Sequence, residues 1–136
     1  MFKSGRGKHI NNFMMGEAGR YRTNVVEHPG CSTFSKTRAR DLADHVSVKP
    51  TAMIAEFLLD CSKPGDVVLD PFCGSGTLLL AAAKTNRRGV GTEPYSIYVD
   101  TALRRLRVAT RMVAAIAGDS RTFDEIAAER LAGGEG

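Results

Sequence analysis

Eight consecutive residues, Asp70-Pro71-Phe72-Cys73-Gly74-Ser75-Gly76-Thr77, constrain this chain more than any others. A short apolar run, Val67-Val68-Leu69, stands before them, and a longer one of Leu and Ala, residues 78–83, follows. A run too short for a helix, two glycines and a helix-length run read as strand, tight loop and helix. In an open parallel sheet such a junction lies at the carboxyl end of a strand, where ligands bind. Gly74 and Gly76 let the backbone turn sharply and approach a ligand closely. Asp70, at the strand end, is placed to accept hydrogen bonds from an ammonium or hydroxyl group.

The loop also limits which ligand it can hold. No Lys follows the second glycine, so it is not a phosphate-binding P-loop. Position 79 is Leu, so the G-x-G-x-x-G fingerprint of dinucleotide sites fails as well. An acid beside the loop disfavours any phosphate. A second acid, Glu93, falls at the end of the next predicted strand, about twenty residues past the glycines, where a carboxylate pairs with ribose hydroxyls. S-adenosylmethionine meets these conditions: it has a ribose, no phosphate, and both an ammonium and a sulfonium. Cys73 lies inside the loop, but no His is near it in sequence, which argues against a catalytic thiolate.

The rest of the chain alternates in the same way. Pro50 reads as a first helical residue, and residues 51–61 follow with Met53, Ile54, Phe57, Leu58 and Cys61 on one side. Lys63-Pro64-Gly65-Asp66 makes a turn before the strand at 67–70. The helix predicted over 77–85 is apolar nearly all round, so it needs cover on more than one side. Residues 86–89 return the chain to a second strand at 90–93. Pro94 opens a long helix to about residue 112, with a seam at Tyr98, Ala102, Leu106, Ala109 and Val113. Arg104, Arg105, Arg107 and Arg111 fall off that seam and read as a solvated face. Residues 114–118 are a candidate third strand ending at Asp119, and 123–131 a last short helix. The final glycine-rich residues, 133–136, should fray. Strands alternating with helices predict a parallel sheet with crossover helices, an α/β class.

At this point the sequence resembles a known family. "DPFCGSGT" preceded by "GDVVL" is similar to the cofactor motif of the DNA N6-adenine and N4-cytosine methyltransferases. "HVSVKP", at residues 45–50, resembles that family's "HPTxKP" element, with Val46 and Ser47 where the family has Pro and Thr. "GVGTEP" matches its second-strand acidic position. The resemblance is specific over roughly residues 41–107. It extends weakly to 1–40, where "HINNF" and "GRYRTN" look like the lead-in of the permuted subgroup, whose catalytic motif precedes its cofactor motif.

The resemblance implies a partial Rossmann-like S-adenosylmethionine-dependent methyltransferase fold. It implies a cofactor site built from Lys49, Pro50, Asp70, Pro71, Phe72, Cys73, Gly74, Ser75, Gly76, Thr77, Glu93 and Pro94. The implied reaction is methylation of an exocyclic amine of adenine or cytosine in DNA, as in restriction-modification systems. That nitrogen's lone pair is delocalised into the base, so the family uses Asp, Asn or Ser, then Pro-Pro and an aromatic, to accept the amine's hydrogens and stack on the flipped base. The five prolines here, Pro29, Pro50, Pro64, Pro71 and Pro94, include no adjacent pair, so the sequence offers no catalytic residue of that kind. The expectation is a C-terminal, cofactor-binding part of a truncated or split enzyme, completed by a missing N-terminal half or a partner chain. Two other readings stand beside it: a non-catalytic cofactor- or DNA-binding remnant, and a methyltransferase of this fold acting on RNA or a small molecule.

Charge and composition complete the reading. The formal net charge is +4. Residues 1–50 carry nine Lys and Arg against four acids, a net +5, while the remainder carries ten against eleven. The basic excess therefore lies wholly in the first third. A loop-rich segment, 1–40, with extended pieces at 2–3 and 21–26, is expected to contact duplex DNA through Arg20, Arg22, Lys36, Arg38 and Arg40. Residues 41–136 form the cofactor-binding portion. Cys31, Cys61 and Cys73 have neither metal nor disulfide spacing, so no metal is expected and a reducing cytoplasm is the natural setting. No apolar run approaches a membrane span, and the polar start is not a signal peptide.

Overall fold

A computed structural model describes residues 10–21, 25–28 and 49–133. Six elements occur in order: α1 (Thr51–Cys61), β1 (Val67–Asp70), α2 (Thr77–Lys84), β2 (Arg88–Gly91), α3 (Ser96–Thr110) and α4 (Phe123–Gly133). The two strands pair in parallel, with Val67 opposite Arg88 and Asp70 opposite Gly91. This is the expected α/β class, with α2 as the crossover between parallel strands.

Helix α2 lies at the centre. Leu80, Ala81 and Ala82 are its buried residues. Ala81 and Ala82 join Leu58 of α1 in the core, with Ile54, Ala55 and Val68 packed around them. The helix approaches the sheet closely because β2 carries Gly89: a Cβ there would lie 2.9 Å from Leu79 Cδ2 and 3.2 Å from Leu79 Cα. Alternation along a strand puts neighbouring side chains on opposite faces. Val68 and Gly89 therefore face α2, while Val67, Leu69 and Val90 face away and are 58%, 63% and 48% exposed.

The ends of the helices are chemically closed. Arg87, only 7% exposed, donates to Ser62 O at 2.7 Å, Ser62 Oγ at 3.1 Å, Thr85 O at 2.5 Å and Leu58 O at 3.4 Å. One guanidinium thus ties together the carboxyl ends of α1 and α2, where a cation is electrostatically favoured. At the start of α4, Thr122 and Glu125 form a reciprocal cap, with Thr122 N donating to Glu125 Oε2 and Glu125 N to Thr122 Oγ1. An ion pair between Arg107 and Asp124 joins α3 to α4.

Several boundaries differ from the sequence reading. Pro50 has ψ 121°, so it caps α1 from outside rather than forming its first residue. Thr85 caps α2 rather than belonging to it. The second strand is Arg88–Gly91, two residues earlier than expected, because pairing with β1 is exhausted where Asp70 meets Gly91. Helix α3 starts at Ser96 rather than Pro94 and stops at Thr110, where Arg111 adopts a left-handed conformation. The seam holds at Tyr98, Ala102 and Leu106, but Ala109 and Val113 are exposed. Residues 114–118 form no strand: Gly118 has φ +82°, Asp119 N bonds back to Ile116 O, and Ala115 bridges antiparallel to Thr122. Helix α4 runs two residues longer than the predicted 123–131.

Of the basic first third, residues 10–21 and 25–28 are described, and they contain neither helix nor strand. The extended piece expected at 2–3 lies outside the described residues, as do residues 22–24 of the one expected at 21–26. This lead-in is nonetheless fastened to α1. Asn12 N donates to Asp60 O at 3.0 Å, Asn12 Nδ2 to Leu59 O and Ser62 O at 2.8 Å each, and Phe13 N to Asp60 Oδ1 at 2.9 Å. His28 Nε2 lies 2.9 Å from Glu56 Oε2 further along the same helix.

Candidate cofactor site

The site begins where β1 runs out. Asp70 Oδ1 accepts a hydrogen bond from Phe72 N at 3.1 Å, which turns the chain out of the strand. Gly74 and Gly76 have φ +50° and +76°, the left-handed region that glycine enters without strain. Gly76 N donates to Cys73 O at 2.8 Å and closes the turn. Glycine at 76 is required twice over, since a Cβ there would lie 2.7 Å from Ala102 Cβ on α3.

The end of β2 then locks onto the loop. Cys73 N donates to Thr92 O at 3.1 Å, and Thr92 Oγ1 to Pro71 O at 2.7 Å. Glu93 Oε2 accepts from Gly74 N at 2.9 Å, while its Oε1 accepts from Tyr95 N at 3.1 Å. Glu93 is thus two residues past β2 rather than at its last position, and its carboxylate braces the glycine loop.

A cleft of about 610 Å³ opens above this assembly. Nine of the twelve residues expected to hold a cofactor line it: Lys49, Asp70, Phe72, Cys73, Gly74, Ser75, Thr77, Glu93 and Pro94. The other three act behind it. Pro50 caps α1, Pro71 O takes the Thr92 hydroxyl, and Gly76 is packed under α3. A second cleft, of about 550 Å³ between α3 and α4, shares Glu93 and Pro94 with the first. Those two residues therefore sit where an elongated ligand could pass from one cleft to the other.

The local field is negative. The Cys73 thiol is pushed above its ordinary range by burial and then by the Asp70 and Glu93 carboxylates. It is held in the neutral form, which fits a wall residue and not a nucleophile. The same field that opposes a thiolate favours a cationic ligand.

Sequence reasoning missed three contributors. Tyr95 and Tyr98 line the cleft and meet edge to face, ring centroids 6.0 Å apart. Tyr98 was placed on the α3 seam without a role at the site. Arg105, read as part of a solvated face, is half-buried and bonds to Ser75. The signal was available: 98, 102 and 105 are spaced four and three apart, on one side of a helix. Of the expected DNA contacts, Arg20 is exposed, and Arg22, Lys36, Arg38 and Arg40 lie outside the described residues.

The family profile described as "DNA methylase", covering the N6/N4 methyltransferases, matches residues 4–104. The chain belongs to that family. It is 43% identical over 77 residues to the DNA adenine methyltransferase YhdJ of Escherichia coli K12, covering 54% of this chain and 26% of that protein. It is 36% identical over 88 residues to the type II methyltransferase M.ScaI of Streptomyces caespitosus, covering 65% of this chain and 29% of that protein. Among solved structures, the cytosine-N4-specific PvuII DNA methyltransferase matches with a TM-score of 0.53 at 21% identity, covering 84% of this chain and 39% of that one. That likeness concerns the fold. The chain spans little more than a quarter of the length of either curated relative.

Proposed function

We propose that this chain holds S-adenosylmethionine along the Asp70–Thr77 loop, with the ribose on Glu93, and serves methylation of an exocyclic amine of adenine or cytosine in DNA. The observation that carries this is the convergence of two carboxylates, from the ends of β1 and β2, on one cleft with the glycine loop between them. Membership of a family that draws its methyl group from this cofactor supports it.

The donor set fits the group. When bound, S-adenosylmethionine supplies an electrophilic methyl on a sulfonium. Asp70 and Glu93 provide acceptors and a field suited to positive charge. Leu69, Phe72, Tyr95 and Tyr98 give the cleft apolar and aromatic walls for the cofactor to pack against. Glu93 already uses each oxygen once, on Gly74 N and Tyr95 N, and a carboxylate oxygen has a second lone pair for a hydroxyl donor. A ribose would share Glu93 with the loop rather than displace it.

The residues that receive the target base are assigned to chain outside this sequence, either upstream or in a partner. No adjacent prolines occur in the 136 residues. In addition, β1 pairs on one side only among the described residues, leaving a strand edge next to the cofactor loop. The runner-up, a complementing subunit without activity of its own, rests on that same edge.

Calorimetric titration of S-adenosylmethionine into the full chain and into Glu93→Ala tests the cofactor assignment. Losing charge-assisted hydrogen bonds should weaken binding by about 2–3 kcal/mol, and equal affinities would remove Glu93 from the site. For DNA, weak duplex binding that falls steeply with salt is expected from the basic first third. A chain beginning at Asp41 should lose it. If the shortened chain binds as well, the basic segment is only a solvated surface.

A further inference from the structure

Arg105 reaches from α3 into the back of the glycine loop. Its Nη1 lies 2.6 Å from Ser75 O, 2.8 Å from Ser75 Oγ and 3.4 Å from Thr77 Oγ1. Ser75 is 5% exposed, so the contact is sheltered from water. Arg105 forms no ion pair among the described residues. Its strongest attachment is therefore to a backbone carbonyl and a hydroxyl of the loop, not to a carboxylate. It does not line the cleft.

The position of that carbonyl matters. Ser75 O and Gly76 N belong to one peptide unit, and Gly76 N already donates to Cys73 O at 2.8 Å. With Arg105 on the oxygen, both ends of the unit are held. Without it, the unit is held only through Gly76 N, and because Gly76 can take φ of either sign at little cost, the peptide can turn more readily. A charged donor on a carbonyl is the stronger class of hydrogen bond, so it selects one loop conformation from several. The loop is then set before a ligand arrives, which removes an ordering cost from binding.

We propose that Arg105 is a positioning residue for the glycine loop, acting through the Ser75–Gly76 peptide and touching no ligand itself. Its effect on cofactor affinity rests on the reading of that loop as the S-adenosylmethionine site. The test uses the full 136-residue chain as wild type, Arg105→Met and Arg105→Lys. Amide hydrogen exchange is followed without ligand, and S-adenosylmethionine is titrated calorimetrically. In Arg105→Met, the Gly76 amide should exchange about tenfold faster or more, while the Ser62 and Arg87 amides, bonded within the α1–α2 core, keep their rates. Affinity should fall by about tenfold, and Arg105→Lys, which keeps a charged donor on a shorter stem, should restore part of both.

Wild-type exchange at Gly76 in Arg105→Met overturns the proposal. So does an equal acceleration of every amide, which would make Arg105 a general stabiliser. If Arg105→Met does not fold, Arg105→Lys decides: intermediate exchange at Gly76 supports the clamp, and unchanged exchange overturns it. If the wild type binds no S-adenosylmethionine, the cofactor reading falls, and the exchange arm still decides for or against Arg105.

Discussion

The two faces of the β1–β2 sheet are built differently. On one, Val68 and Gly89 sit beneath α2, and the approach is so close that a single methyl at 89 would collide with Leu79. On the other, Val67, Leu69 and Val90 are about half exposed or more. Apolar strand residues are normally covered on both faces of a parallel sheet. The closed face carries everything that shapes the glycine loop, from Asp70 to the α3 contacts. Apart from Leu69, which also lines the candidate cleft, the open face carries the demand for a neighbour. The shaping of the glycine loop and the demand for further cover thus fall largely on opposite sides of the same two strands.

The largest effect should come from supplying strands to the unpaired edge of β1. Alone, the chain is expected to transfer no radiolabelled methyl group to duplex DNA. Mixed with a chain bearing the Asp/Asn/Ser-Pro-Pro-aromatic motif and its strands, it should do so. Transfer by a monodisperse monomer unaided would break the division of tasks. Next in size is a strike at the closed face. Gly89→Val should cost about 1–3 kcal/mol by overpacking against Leu79, read as a lower denaturation midpoint. The matching change on the open face, Val67→Thr with Leu69→Thr, should leave stability within about 0.5 kcal/mol per site and lower self-association in light scattering. If the open-face pair is as destabilising as Gly89→Val, the two faces are not distinct. The smallest effect concerns the cleft. At pH 8, Cys73 should alkylate more slowly than a free thiol, since burial and the Asp70 and Glu93 carboxylates all raise its pKa. Glu93→Gln removes one of those causes and should speed the reaction.

The glycine loop was legible in the sequence because its cause is local. Two positive-φ glycines, an acid at the strand end and an apolar helix fix its shape within eight residues. Helix α1 was legible for the same reason, from the spacing of Met53, Ile54, Phe57 and Leu58. Strand identity is different, because a strand exists only where a neighbour offers hydrogen bonds. Residues 114–118 stand where a third strand would follow α3, yet they fold back on Thr122 among the described residues. The offset of β2 has a related cause: Thr92 and Glu93 look like strand residues, but their side chains are spent on Pro71 and Gly74 of the loop. Arg105 was misplaced because four arginines close together in sequence suggested a uniformly wet face. Its spacing from Tyr98 and Ala102, together with the packing of Ala102 onto Gly76, shows that it is the one that turns inward.

Arg87 gives the second strand its origin. It is held at four oxygens at the opposite end of β2 from the glycine loop, and β2 begins with the next residue. Counting starts there: a slip of one residue in a strand moves every side chain to the opposite face. Glycine at 89 would then leave Leu79 facing a larger neighbour, and Glu93, six positions from the anchor, would turn away from Gly74. A buried arginine thereby sets the length of chain between a fixed point and the carboxylate that braces the glycine loop, much as a stop on a ruler sets every mark along it.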